Sequence, residues 1–161
     1  MKIIKIKLTN NSSHIENEDY FSLRVVYESS TENIQHIGFY NSEEDLLELA
    51  VDKDSCLLQK LQMIICHHYS INDFPFDINS IDIKDEEIEL KLQDHNECQS
   101  FYMHVYSNCA VITLSDTKAS KHIKCGQILF GLNDADKIHS IIVTGLTKED
   151  INHVKNELSL Q

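Results

Sequence analysis

The sequence predicts an α+β fold: a mainly antiparallel, curved sheet of about seven to eight strands, with two tandem helices after the third strand and a C-terminal helix. Three observations support this prediction. Short segments rich in isoleucine alternate apolar and polar positions, as half-buried strands do. Polar turn-forming runs separate these segments, which favours antiparallel neighbours. Two leucine-rich stretches between positions 42 and 68 have helical spacing instead.

The chain length predicts a single domain over residues 1–161, since domains cluster at roughly 100–150 residues. Apolar residues make up 42% and charged residues 25%, which is typical of a globular protein with a core of its own. No internal repeat, low-complexity stretch or linker indicates a domain boundary.

The first part of the chain predicts three strands. Residues 2–8 alternate lysine with isoleucine and leucine, which indicates a strand with one wet face. Residues 20–28 and 34–40 are rich in aromatic and β-branched residues. The polar run at 29–33 between them predicts a hairpin.

Two helices are predicted next. Ser42 and Asp45 have the spacing of a capping box, and acidic residues fill the first turn of a helix that continues to Val51. After a polar break at 52–55, a second helix is predicted from about Cys56 to His68 because apolar residues recur on one helical face.

The remaining elements are strands and one helix. After the Phe74-Pro75-Phe76 loop, residues 78–83 and 88–92 predict a hairpin around a charged turn, and 101–106 with 109–115 predict another. Residues 116–124 are predicted to form a loop. Strands at 127–130 and 138–144 precede a final helix, with Thr147 as N-cap and Ile151, Val154 and Leu158 on its inner face.

The sequence contains no recognisable catalytic motif. Its four glycines form no phosphate-binding loop, so a dinucleotide cofactor is excluded. Acidic residues are plentiful, but they alternate with core positions along strands and do not indicate a carboxylate pair in a cleft. We therefore expect a protein that is not an enzyme and has no cofactor.

Histidine and cysteine raise the question of a metal. The chain has nine histidines and five cysteines, with an adjacent pair His67-His68 beside Cys66. Two His-x-x-Cys arrangements occur, at positions 95–98 and 122–125. None matches an established zinc spacing, so no metal is predicted, and zinc is kept as the lesser alternative. The cysteines are expected to be free thiols in a reducing compartment, because neither C-x-x-C nor an export signal is seen.

Charge is the most unusual property of the sequence. Twenty-six acidic residues against 14 basic ones give a net charge of −12. This charge disfavours nucleic acid, whose phosphates reward clustered lysine and arginine, and it favours a basic protein partner. The apolar stretch at 1–7 is too short for a signal peptide, and no segment approaches the roughly 20 apolar residues of a membrane span. A cytoplasmic protein without membrane contact is expected.

The acidic residues gather in two runs that predict a partner-binding surface. The first run comprises Glu43, Glu44, Asp45, Glu48, Asp52 and Asp54. The second is densest at Asp82, Asp85, Glu86, Glu87 and Glu89. A merely solvated surface is the alternative for either run, but crowded like charges cost stability and favour a matching cationic partner. Aromatic residues are the candidate anchors of the interface: Tyr40, Phe74, Phe76, Tyr102 and Tyr106.

In size, acidity and lack of catalytic residues, the chain resembles the small immunity proteins of bacterial polymorphic toxin and contact-dependent growth inhibition systems. The resemblance implies that the protein neutralises a cognate basic toxin, such as a nuclease, by occluding its active site with carboxylates placed like substrate phosphates. The alternative is a small non-catalytic adaptor or ligand-binding accessory domain with an apolar pocket. The sequence leaves the oligomeric state open.

Overall fold

The computed structural model describes residues 2–28 and 32–161, and in these residues the chain forms fifteen strands and a single α-helix. The strands of the first half are β1 (Ile3–Leu8), β2 (Ser13–Ile15), β3 (Leu23–Tyr27), β4 (Ile34–Tyr40), β5 (Leu46–Asp52), β6 (Leu58–Ile65) and β7 (Tyr69–Ile71). Those of the second half are β8 (Ile83–Lys84), β9 (Ile88–Gln93), β10 (His95–Glu97), β11 (Tyr102–Val105), β12 (Ala110–Thr113), β13 (Lys121–Cys125), β14 (Ile128–Leu132) and β15 (Ile138–Val143). Helix α1 spans Lys148–Ser159.

The first large sheet has six strands in the order β10-β4-β5-β6-β3-β2. Strands β4, β5 and β6 follow one another as antiparallel neighbours, while β3, which precedes them in the chain, lies beside β6. This is a Greek-key arrangement. The short strand β10 adds to β4 in parallel orientation.

The second large sheet has seven strands in the order β7-β11-β12-β15-β14-β13-β8. Its five central strands are antiparallel, and the two edge strands, β7 and β8, are parallel to their neighbours. Strands β1 and β9 form a third, two-stranded antiparallel sheet with Ile6 opposite Leu90.

The buried side chains of all three sheets form one continuous hydrophobic core. Ile6 of the small sheet, Leu49 and Leu61 of the first large sheet, and Phe130 and Ile141 of the second are all fully buried. Each such side chain contributes about 1.5–3 kcal/mol relative to exposure. The outer face of the second large sheet carries a smaller apolar cluster, which the segment from Phe76 to Ile81 covers.

Helix α1 confirms the prediction for the end of the chain. Thr147 accepts a hydrogen bond from the Asp150 backbone N–H, and Asp150 accepts one in return, which is a capping box. Ile151, Val154 and Leu158 are its buried residues, as predicted. Among residues 2–28 and 32–161, no helix has both the length and the hydropathy that crossing a membrane requires.

The predicted α+β class is wrong, because the protein is mostly β with one helix, and the strands number well above the seven to eight expected. The two tandem helices after the third strand are instead β5 and β6, an antiparallel pair. The polar run 52–55 is the turn of this hairpin. It closes where Asp52 accepts a backbone hydrogen bond from Cys56, which has a φ of +65°.

Two of the predicted hairpins are also wrong. Strand β3 is separated from β4 by two other strands, so residues 20–28 and 34–40 do not pair with each other. The turn predicted at 29–33 lies partly outside the described residues. Strands β8 and β9 pair with β13 and β1 rather than with each other. The hairpin of β11 and β12 around Ser107-Asn108 is confirmed, and part of the predicted loop 116–124 belongs to β13.

Candidate functional site

The first acidic run does not form a single patch. Glu43 and Glu44 precede β5, whereas Asp54 lies in the turn that follows it. A strand of seven residues is roughly 20 Å long, so these carboxylates lie at opposite ends of the first large sheet. The predicted helix would have placed them within one or two turns.

Three carboxylates of the first run have structural roles. Asp45 is completely buried and accepts hydrogen bonds from Asn41 and from the His67 backbone N–H. Asp52 is 7% exposed and accepts a 2.6 Å hydrogen bond from the Ser55 hydroxyl in the hairpin turn. Glu48 is paired with a histidine across the sheet. These carboxylates are held by hydrogen bonds or ion pairs within the protein itself.

The second acidic run is exposed throughout. Asp82, Asp85, Glu86, Glu87 and Glu89 are all exposed to solvent. Asp82 pairs with Lys84 at 3.2 Å. Within the described part of the chain, the other four carboxylates have no hydrogen bond or ion pair. They occupy the segment that leads from β8, at the edge of the second large sheet, into β9 of the small sheet.

The fold brings this segment close to the acidic turn between β5 and β6. The Lys7 backbone N–H donates to the Cys56 carbonyl at 2.8 Å on one side, and Glu89 lies opposite Lys7 on the other. Neighbouring strands are about 4.8 Å apart, and β1 lies between the Cys56 turn and β9. The acidic turn and Glu89 are therefore within roughly 10 Å of each other. Asn33 bonds Asp54 at 3.1 Å and places Glu32 beside the same turn.

We call this surface the acidic end. It consists of Glu32, Asp54, Asp85, Glu86, Glu87 and Glu89. The nearby bases are fewer: Lys84, which directly precedes Asp85, and Lys7, Lys53 and Lys124. Sequence reasoning found most of these carboxylates but missed Glu32, which reaches the surface only through the pairing of β4 with β5.

The predicted aromatic anchors lie elsewhere. Tyr102 and Tyr106 share one face of the β11 strand with His104 between them, and Phe74 and Phe76 pack on Tyr106 with centroid distances of 5.8 and 5.1 Å. In the second large sheet, β11 is five strand positions from β8, which is roughly 24 Å. Aromatic anchors therefore do not flank the acidic end.

Tyr40 is also remote from the acidic end. It terminates β4 opposite Leu46 and packs edge-on against His95, with the ring centroids 6.5 Å apart. This position is at the other end of β5, near Glu43.

A second arrangement, the histidine–carboxylate cluster, consists of Glu43, Asp45, His67 and His68. His68 Nε2 lies 2.9 Å from a Glu43 oxygen, and its Nδ1 lies 3.5 Å from Asp45 Oδ2. His67 Nδ1 lies 2.8 Å from Asp45 Oδ1. The acids come from the loop before β5 and the histidines from the loop after β6. They meet because Leu46 pairs with Ile65.

The loop that carries these acids differs from the helix start that was predicted. The Asn41 side-chain oxygen accepts hydrogen bonds from the backbone N–H groups of Glu43 and Asp45, at 3.1 and 3.0 Å. Glu44 then adopts a φ of +68°. This local turn directs Asp45 inward and leaves Glu43 58% exposed.

Glu43 and His68 of the histidine–carboxylate cluster line a groove of about 440 Å³. The groove is lined by Asn41, Ser42, Glu43, His68 and the segment from Glu97 to Tyr102. A larger groove of about 700 Å³ adjoins it through Glu97, Cys98 and Gln99. Both are open grooves at the protein surface.

The cysteines are free thiols, as expected, and four of the five are buried. Burial raises the pKa of Cys66 and of Cys109 to about 12, and that of Cys98 and of Cys125 to about 11. They are protonated at neutral pH and poor nucleophiles. In the part of the chain that the structure describes, neither His-x-x-Cys arrangement gathers three possible metal ligands, whereas Glu43, Asp45 and His68 do.

Neither a protein-family model nor a curated protein sequence matches the chain significantly.

Proposed function

We propose that this protein is a cytoplasmic immunity protein that binds a basic toxin domain and neutralises it by occlusion. The observation that carries this proposal is the acidic end, where three neighbouring segments present six exposed carboxylates. Four of them follow one another within five residues, from Asp85 to Glu89. A surface of this kind matches a cleft that binds nucleic-acid phosphates.

The segment from Asp85 to Glu89 is held at both sides. Strand β8 joins it to β13, and β9 joins it to β1, whose inner residues are buried in the core. A segment whose backbone is already fixed loses little backbone entropy on binding, so more of the electrostatic attraction is retained as affinity. The cationic partner would supply the neutralisation that neighbouring side chains leave incomplete.

The position of the aromatic residues refines the expected interface. Because Tyr40, Phe74 and Phe76 lie away from the acidic end, the first contact with the partner depends on charge rather than on aromatic anchors. Association is then fast and sensitive to salt, since exposed charges are screened beyond about 8 Å at physiological ionic strength.

The decisive experiment identifies the partner and tests the acidic end in the same assay. The full-length protein is used as bait in a lysate of its native host at low and high salt, and captured proteins are identified by mass spectrometry. The captured toxin domain is then co-expressed with the protein, and growth rescue is measured. We expect a cationic protein that is toxic when expressed alone and harmless with its antidote.

A charge-neutralised variant separates the acidic end from general acidity. The test variant carries Asp85→Asn, Glu86→Gln, Glu87→Gln and Glu89→Gln. The control variant removes the same four charges at scattered exposed positions: Asp19→Asn, Glu44→Gln, Asp73→Asn and Asp134→Asn. We expect the association rate to fall roughly tenfold or more in the test variant alone. Equal rates in the two variants would contradict the proposal.

The alternative, a ligand-binding accessory domain, is favoured by one observation. The groove of about 700 Å³ combines apolar residues such as Phe39, Leu114 and Ile138 with Lys91, and its volume is in the range of small-molecule sites. A thermal-shift screen of small organic acids and apolar metabolites tests this function. A ligand that raises the melting temperature of the wild type but not of Thr117→Trp, which fills the groove, would support it.

A further inference from the structure

The histidine–carboxylate cluster combines ligand types that transition metals prefer. Imidazole nitrogen and carboxylate oxygen are both ligands of zinc, whereas calcium and magnesium favour oxygen alone. We propose that Glu43, Asp45 and His68 form a binding site for one divalent transition-metal cation, represented by Zn²⁺.

The distances are close to those of a bound ion. One ligand atom from each of Glu43, Asp45 and His68 lies within 4.8 Å of the other two. Three such atoms can all be reached from one central point with bonds of at most about 2.8 Å, and zinc ligands lie at roughly 2.0–2.2 Å. An inward movement of less than about 1 Å per atom therefore completes the site. Glu43, which is 58% exposed, has the freedom to make that movement.

The other contacts of Asp45 hold its carboxylate in place for this role. Oδ1 accepts hydrogen bonds from the His67 backbone at 2.7 Å, and His67 Nδ1 lies 2.8 Å from the same atom. Oδ2 accepts from Asn41 at 2.8 Å and faces His68. His67 thus acts as a positioning residue, because a ligating carboxylate is commonly oriented by such hydrogen bonds.

The local charge also favours a cation. Asp45 is completely buried and contributes one negative charge to the cluster. Glu43 adds a second negative charge, and Glu97 lines the same groove, whose described lining residues include no lysine or arginine. The groove gives an ion access from solvent and leaves room for water at the remaining coordination positions.

The proposed metal site does not rest on the proposed partner binding. The cluster lies before β5, and the acidic end includes the turn after β5, roughly 20 Å away. Loss of either property is therefore measurable while the other is retained.

The test uses the full-length, tag-free protein with Cys56→Ser as background, which removes the half-buried thiol as a competing ligand. Zinc chloride is titrated by calorimetry, and cobalt chloride is titrated by visible absorption. We expect saturable binding of one equivalent and no comparable binding of calcium. In Glu43→Gln and in His68→Ala, affinity falls at least tenfold.

Two matched controls address nearby residues of the same types. Glu44→Gln changes the neighbouring exposed acid, and His36→Ala removes a histidine that pairs with Glu48 alone at 2.9 Å. Both controls should bind zinc like the background protein, and circular dichroism checks that every variant is folded. The proposal is overturned if zinc shows no saturable binding, or if Glu43→Gln and His68→Ala bind it as tightly as the controls.

Discussion

Replacement of Gly126 by alanine should destabilise the protein far more than a glycine substitution in a turn usually does. Gly126 lies between β13 and β14 with a φ of +60°. A Cβ at this position would lie 2.4 Å from the Asn11 carbonyl oxygen and 2.6 Å from Ser13 Oγ. Asn11 lies in the loop after β1 and Ser13 begins β2; this stretch, the 10–13 loop, crosses closely over the turn.

The expected cost has two parts. Left-handed backbone costs a residue with a side chain about 1–2 kcal/mol. The contact with Asn11 involves a backbone atom, so the 10–13 loop must move by roughly 1 Å, and overpacking of this kind costs about 1–3 kcal/mol. Movement also strains the hydrogen bonds from Gly126 to Asn10 and from Gln127 to Ser13, at 3.1 and 2.9 Å. Together the two parts give an expected loss of about 2–5 kcal/mol.

Gly145→Ala is the matched control. Its φ is +67°, but the nearest atom to an added Cβ is the end of the flexible Gln127 side chain at 3.2 Å, which has to shift only slightly. We expect a loss of about 1 kcal/mol there, from backbone conformation alone. Urea unfolding followed by circular dichroism measures both losses. If Gly126→Ala costs no more than Gly145→Ala, the close approach of the 10–13 loop is refuted.

Three further predictions concern single groups. Of the five cysteines, Cys56 alone is not buried. An aromatic disulfide reagent should therefore modify one thiol quickly in the native protein and none in Cys56→Ser. Fast modification of two or more thiols would contradict the burial of the other four cysteines. Desolvation lowers the pKa of His122 and of His139 in the folded protein below the ordinary histidine value of 6.5. As the pH drops from about 7, the unfolded chain therefore binds protons at these histidines before the folded protein does, and the free energy of unfolding should fall. His139→Asn should flatten that dependence in urea midpoints at pH 7 and 5.5, and an unchanged slope would exclude His139 as a cause. The Tyr27 side chain is buried, and its hydroxyl donates a hydrogen bond to the Cys125 carbonyl at 2.5 Å. Tyr27→Phe should therefore lower the free energy of unfolding by about 1–3 kcal/mol. An unchanged free energy of unfolding would show that the protein does not need this hydrogen bond.

Elements fixed by short-range signals could be predicted from the sequence. Thr147 and Asp150 mark the start of α1 through a reciprocal cap, and the apolar spacing after them defines its inner face. The β11–β12 hairpin likewise depends on a two-residue turn between alternating strands. In both cases the partners that stabilise the element lie within a few residues of each other.

The tandem helices could not be excluded in this way. Strand β5 lies between β4 and β6, and its consecutive residues Leu49, Ala50 and Val51 are all buried, so the strict alternation of a half-buried strand is lost. Such a continuous apolar run fits a helix and a central strand equally well. The segment forms strand β5 because pairing with β4 and β6 on its two sides outweighs the helical propensity of leucine and alanine.

For the acidic end and the histidine–carboxylate cluster, too, the sequence predicts single residues but not their neighbours across the sheets. Exposure of the Asp85–Glu89 segment follows from its charge density, and the His67-His68 pair is visible as a possible ligand pair. Their neighbours are not visible, because Asp45 lies 22 residues from His67 and reaches it only through strand pairing. The separation of the aromatic row from the acidic end equally depends on strand order, which local pattern does not determine.

The pairing of β1 with β9 has a consequence for how the protein is made. Ile6 pairs with Leu90, so the small sheet joins residues roughly eighty positions apart, and β1 lacks the strand that pairs with it along its whole length until β9 has been synthesised. Closing loops of this length carries an entropic cost before any contact is gained, and chains rich in such pairings fold in milliseconds to seconds. During synthesis we expect the apolar strand β1 to remain without its partner β9. The nascent chain is therefore most vulnerable to aggregation before its middle third has emerged from the ribosome.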